Sequence, residues 1–248
     1  MDIWFYYEVT HSLHLLLNPM RASRVDELGR VLDLRPGTRV VDIACGHGEF
    51  LIRWAGQYGI TGVGIDLSPF TLERAKKHMT SRVPNADIEF LHMDGADFVP
   101  EQRFDVACLI GASWIWKGYD GTLDAMIRLA HPGSPIVFGE PYWKLDPPDE
   151  YMVADEGLSA SVFTTLEGLR EHALGKGLEL VWMMESSMED WDRYEMLQAT
   201  AVDRFARAYP DHPDLPEILA RRKKSDEIYF RWGRDHCGFA TWVFRTPS

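Results

Sequence analysis

The stretch VVDIACGHGEF, Val40 to Phe50, constrains the fold more than any other part of the chain. A short apolar run broken by two closely spaced glycines and followed by EFLIRWAGQYG reads as a buried strand, a glycine turn and a helix that starts on the turn. The alternation then repeats at TGVGID and PFTLERAKKHM, at IEFLHMD, at FDVACLI and DGTLDAMIRLA, and at PIVFGE. Strands that alternate with helices in this way build a parallel sheet covered on both faces. Five parallel strands are therefore expected before residue 141. Leu178 to Ser186 and Phe239 to Arg245 read as a sixth and a seventh strand, being rich in apolar, β-branched and aromatic residues. About fifty residues separate them, too many for a structureless loop in a compact domain. Trp191, Tyr194, Leu197 or Gln198, Ala201, Val202, Phe205 and Tyr209 fall on one broad helical stripe there. Upstream, Asn18-Pro19 reads as a helix N-cap with proline in the first turn, ahead of Val25, Leu28, Val31 and Leu32 at helical spacing.

A chain of 248 residues suits one such domain with an added cap. The expected division is a single domain over 1–248, a leading lid segment at 1–20 and a helical cap insertion at 188–236. The formal charge of −12 disfavours the phosphate backbone of nucleic acids, whose binding needs a basic surface. Arg221-Arg222-Lys223-Lys224 is a local exception and reads as a solvated helix face. Three cysteines, with no C-x-x-C pair, suggest neither a disulfide framework nor a structural zinc site. His11 and His14 share a helical face, but no carboxylate or thiol cluster completes a metal site around them. No basic, then apolar leader and no run of eighteen apolar residues is present, so a cytoplasmic protein with neither export signal nor membrane span is expected.

Glycines at a strand end allow the main chain to approach a ligand with no Cβ in the way, and a nucleoside fits such a crevice. Asp42 lies near the end of the first strand, where a carboxylate attracts an ammonium group directly or through water. Gly46 and Gly48 form the floor. Asp66 ends the second strand, placed to accept hydrogen bonds from both hydroxyls of a ribose, and Asp94 ends the third, placed to meet an adenine amine. Each acid alone also suits a turn or a cap. Together, three carboxylates at the ends of three consecutive strands converge on the crevice where open α/β sheets bind ligands.

With these residues laid out, the sequence resembles class I S-adenosylmethionine-dependent methyltransferases. VVDIACGHG looks like their first motif, GIDLSP like their ribose-binding segment and HMDGADF like their adenine-binding segment, across roughly 18–143. The resemblance implies a seven-stranded, mostly parallel Rossmann-like α/β sheet with helices on both faces and an antiparallel last strand. It implies S-adenosylmethionine as cofactor, with Asp42, Ala44, Cys45, Gly46 and Gly48 shaping the methionine side. Asp66 and Leu67 would serve the ribose and adenine, Asp94 and Gly95 the adenine, and Ile110 and Gly111 the methionine moiety. GASWIW with GEPYW and Pro147-Pro148 is similar to bacterial small-molecule methyltransferases, which implies a small-molecule acceptor.

Methyl transfer from a sulfonium is an in-line displacement that chiefly needs a positioned, dehydrated nucleophile. Thiols and free amines need little help, whereas a hydroxyl or an ammonium must lose a proton to a base. The ends of strands four and five border the methyl group in this fold, which nominates Ser113, Trp114 and Trp116, then Glu140, Tyr142 and Trp143. Glu140 is positioned for a general base or, equally, for a carboxylate that supports the neighbouring loop. Tyr7 and His11 in the leading segment, and Trp191 and Tyr194 in the insertion, are expected to face substrate, although aromatic residues at helical spacing also suit core packing. Two other functions fit the sheet. A nicotinamide-dependent oxidoreductase would need a third fingerprint glycine where Leu51 stands, and would set Asp42 against a pyrophosphate. A non-catalytic nucleoside-binding protein would keep the same crevice without the chemistry.

Overall fold

Alternate residues of the strands face opposite ways, and this pleat sorts the apolar side chains into two cores. In the computed structural model, which describes residues 1–155 and 159–248, the chain runs α1 (Ile3–Thr10), α2 (Ala22–Val31), β1 (Arg39–Ile43), α3 (Glu49–Tyr58), β2 (Thr61–Asp66), α4 (Pro69–Arg82), β3 (Ile88–His92) and β4 (Val106–Ile110). It continues through α5 (Tyr119–Leu129), β5 (Pro135–Trp143), α6 (Asp149–Ala154), α7 (Leu166–Gly175), β6 (Glu179–Glu185), α8 (Met188–Ala208), α9 (Leu215–Ile228) and β7 (Cys237–Arg245). Val40, Cys108, Val137 and Val243 point to a core shared with Leu28, Trp54 and Leu72 of α2, α3 and α4. Val41, Leu109, Ile136, Phe138 and Trp242 point to the opposite core, filled by Leu123 and Met126 of α5 and Leu169 of α7. Each fully buried side chain of this size contributes about 1.5–3 kcal/mol relative to exposure.

The strand order is β3-β2-β1-β4-β5-β7-β6, with β7 antiparallel to both neighbours. This is the expected seven-stranded sheet. Because β1 to β5 are parallel, their carboxyl ends share one edge, and the order reverses between β1 and β4, where a crevice must open. β5 runs three residues past the expected Glu140. Its pairing with β4 ends at Gly139, and Pro141, Tyr142 and Trp143 continue against β7, where a residue without an N–H is tolerated; Trp143 also bridges to Thr165.

Between β6 and β7 the chain is helical, as its stripe predicts. Ser187 and Asp190 form a reciprocal capping box at the start of α8. Asp190 is buried, and it also accepts Arg21 Nε at 2.5 Å. That pairing explains a difference from expectation. Helix α2 does not start at Asn18-Pro19 but at Ala22, after Arg21, with no side-chain cap. Arg21 is drawn to Glu189 and Asp190, while His14 and Leu17 pack the preceding segment onto the β1 turn. The basic run is likewise not a simple solvated face. Arg222 is buried among Glu195, Asp226 and Gln198, and Arg221 pairs with Glu217. Among the described residues, no helix is long and apolar enough to cross a membrane.

Candidate functional site

At the shared carboxyl edge lies a cavity of about 400 Å³, and the turn after β1 supplies its floor. Ala44, Gly46 and Gly48 all adopt positive φ, at 56°, 55° and 72°. For an alanine this conformation is strained by about 1–2 kcal/mol. Gly48 has no alternative: besides its φ, a Cβ there would lie 2.6 Å from the Phe90 ring. Asp66, at the end of β2, accepts the Gly46 N–H and the Ser68 N–H, both at 2.9 Å. It thereby ties two turns together and keeps lone pairs for a ligand. Burial raises its pKa above the usual carboxylate range, and the main-chain donors oppose that shift. Asp94 caps the turn at Gly95–Asp97 by accepting the Ala96 N–H at 2.9 Å.

Eight of the eleven residues expected at the cofactor line this cavity: Ala44, Gly46, Asp66, Leu67, Asp94, Gly95, Ile110 and Gly111. Three do not. Gly48 is the N-cap of α3 against Phe90. Asp42 and Cys45 border a separate void of about 30 Å³ together with Asn18, His47 and Gly46. Among the described residues no donor reaches the Asp42 carboxylate, and the Asn18 Oδ1 is buried without a partner. Burial, then the nearby Asp66, pushes the Asp42 carboxyl well up. The Cys45 thiol is also pushed up by burial, which leaves it a packing group.

The roof comes from two distant parts of the chain. Trp4, Tyr7, His11 and Leu17 of the leading segment and Tyr194 of α8 join the lining, with Trp114 from the loop after β4. His11 Nε2 lies 2.9 Å from the Tyr194 hydroxyl, and His14 Nε2 the same distance from the Tyr194 carbonyl. His47 Nδ1 reaches the His14 carbonyl at 2.9 Å. Burial holds His11 down to about 3 and His47 to about 4, so this cluster is neutral near pH 7 and acts through hydrogen bonds. Glu8 grips Arg74 of α4 through both carboxylate oxygens, fixing α1 over the crevice.

The remaining expected residues sit elsewhere. Glu140 is buried and lines neither cavity; its carboxylate accepts the Ser113 N–H at 2.6 Å, which holds the loop after β4. Burial pushes its pKa up to about 7 despite that bond. Tyr142 donates to Glu185 at 2.5 Å. Trp116 is half-buried and packs against the core that α5 covers. Trp191 lines a second cavity of about 280 Å³, and Trp143 packs against its Tyr151 and Phe163. Sequence reasoning missed Trp4, Leu17, Met93 and Ile115 at the first cavity and Tyr151, Phe163, Glu195 and Tyr229 at the second. Only the aromatic density of the leading segment gave a signal for any of these. Among the described residues no cluster could hold a metal ion.

A family model described as a methyltransferase domain matches residues 40–133. The chain is 34% identical to YjhP of Escherichia coli (strain K12) over 244 residues, 98% of each chain. It is 24% identical over 229 residues to the 27-O-demethylrifamycin SV methyltransferase of Amycolatopsis mediterranei, covering 81% of this chain and 82% of that one. A methyltransferase from Geobacter sulfurreducens, crystallised with S-adenosylhomocysteine, superposes with a TM-score of 0.93 at 32% identity, over 100% of this chain and 99% of the other. A glycine turn, acids at the ends of β2 and β3 and full-length likeness to such enzymes agree: the chain belongs to the class I, Rossmann-like S-adenosylmethionine-dependent methyltransferases.

Proposed function

We propose that the first cavity holds S-adenosylmethionine and that the protein methylates a small molecule at N, O or S. The observation that carries this reading is the convergence of Gly46, Asp66, Asp94 and Gly111 on one cavity at the reversal of strand order. The residues suit the group chemically. A Cβ at Gly46 would stand 3.1 Å from Leu17, so the bare glycine keeps the floor open. Asp66 would accept the ribose hydroxyls, and Asp94 and Gly95 would face the adenine. The void beneath carries the unpartnered Asp42 carboxylate and Asn18 Oδ1, two acceptors in a space for one water, which matches an ammonium reached directly or through that water. When bound, the cofactor supplies an electrophilic methyl group.

The chain's own residues position and desolvate. Trp4, Tyr7, His11 and Tyr194 exclude water above the cavity as a lid and a cap that meet across it. Glu140 sets the loop carrying Ser113 and Trp114. The net charge of −12 and the internal pairing of the basic run support a small acceptor rather than a nucleic acid.

Asp66→Ala tests the reading. Loss of charge-assisted hydrogen bonds to two hydroxyls is expected to weaken S-adenosylhomocysteine binding by about 1–3 kcal/mol. Calorimetry on the folded variant checks it, and undiminished affinity would remove Asp66 from the site. Stability falls too, since the Gly46 and Ser68 N–H groups lose their acceptor.

A further inference from the structure

The second cavity opens at the same sheet edge, between Pro141 of β5, Cys237 of β7 and the α8–α9 pair. Its aromatic lining is Tyr151, Phe163, Trp191 and Tyr229, and its charged lining is Asp155 and Glu195. No lysine, arginine or histidine is among the described residues that line it. The rings are held firmly. Tyr151 stacks on Trp232 at 5.6 Å and meets Trp143 edge-on at 5.9 Å. The Tyr151 hydroxyl lies 3.3 Å from Cys237 Sγ, and that of Tyr229 donates to Asp192 at 2.7 Å. With both hydroxyls engaged, these tyrosines offer a ligand mainly ring surface. The chain departs from regular helix here as well: Tyr229–Gly233 forms a single π-helical turn, a geometry that concentrates at functional sites.

A single aromatic layer divides this cavity from the first one. Trp191 meets Tyr194 and Phe239 edge-on at 6.2 and 6.5 Å. Tyr194 lines the first cavity, and Phe239 is the side chain that a Cβ on its Gly111 would meet, at 3.8 Å. The Trp191 indole N–H is buried without an acceptor, a donor that the fold itself does not use.

We propose that this second cavity binds an alkylammonium group of the methyl acceptor, between the faces of Trp191, Tyr151, Phe163 and Tyr229 and beside the Asp155 carboxylate. Aromatic faces attract a desolvated cation through their quadrupole, and a carboxylate adds directly to that field. Glu195 is already matched by Arg222 at 2.9 Å, which makes Asp155 the main counter-charge for a ligand. Burial keeps the Asp155 carboxyl above its ordinary range, with Lys224 opposing, and a cation in the cavity would relieve that cost. An anionic ligand would instead face two carboxylates with no base among the described lining residues. That the bound cation is the methyl acceptor rests on the proposed activity; that the cavity takes an organic cation does not.

The test is calorimetric titration of the full chain, with S-adenosylhomocysteine present and absent, using choline and its neutral isostere in which carbon replaces the quaternary nitrogen. Choline is expected to bind at least about tenfold more tightly than the isostere. Asp155→Asn is expected to weaken choline about tenfold and to leave S-adenosylhomocysteine affinity unchanged, and Trp191→Leu is expected to weaken choline about tenfold. Asp155→Asn keeps the test decisive if the tryptophan variant does not fold. Equal binding of the two probes, absence of choline binding, or variants that bind choline normally would overturn the cation site. Choline binding as expected without any S-adenosylhomocysteine binding would support the cation site and overturn its assignment to a methyl acceptor.

Discussion

Glu140 shows how one buried carboxyl ties local chemistry to the stability of the molecule. Its pKa is raised from 4.5 to about 7 in the native state. Between those values the native protein keeps a proton that the unfolded chain releases, so this group's favourable share is complete below pH 4.5 and is lost as pH rises through about 7. Glu140→Gln retains an acceptor for the Ser113 N–H but cannot titrate. The variant is therefore expected to gain stability relative to the parent as pH rises from 5 to 8, and thermal unfolding at both ends of that range checks it. An unaltered pH slope would mean that the carboxyl ionises normally. Residue types reveal such sites unevenly. Asp66 and Asp94 were legible because each ends a strand in a repeating pattern, whereas Asn18 was misread as a cap, since its role depends on a void formed with Asp42, far away in sequence.

Single residues act here through the elements that carry them, and α1 is the clearest case. It packs on α4 and α8, and its ion pair from Glu8 to Arg74 is partly buried and two-pronged, a geometry worth more than an exposed pair. Glu8→Gln is expected to raise the dissociation rate of S-adenosylhomocysteine about threefold to tenfold, because the leading segment opens more readily. Stopped-flow displacement measures this. A rate equal to the parent's would show that α1 does not gate the crevice. Strands, helices and the helical insertion could be read from periodicity, which reports burial along one element. The meeting of His11 and His14 with Tyr194 could not, because no pattern within either segment specifies its partner in the other.

For the whole molecule, the charge of −12 sets the long-range field, and the sequence gives it directly. Duplex DNA is expected to show no submicromolar binding at physiological salt, which filter binding would check; tight, steeply salt-dependent binding would contradict a small-molecule role. The sheet order was less legible, since nothing in the apolar run of β7 states that it inserts between β5 and β6. Among the described residues β6 pairs with β7 alone, and β7 follows α8 and α9 in the chain, so pairing the two requires a long loop to close. Leu180, Val181, Trp182 and Met183 stay exposed on β6 even after β7 pairs with it, so the closing of that loop leaves an apolar, β-prone ribbon at the edge of the finished sheet.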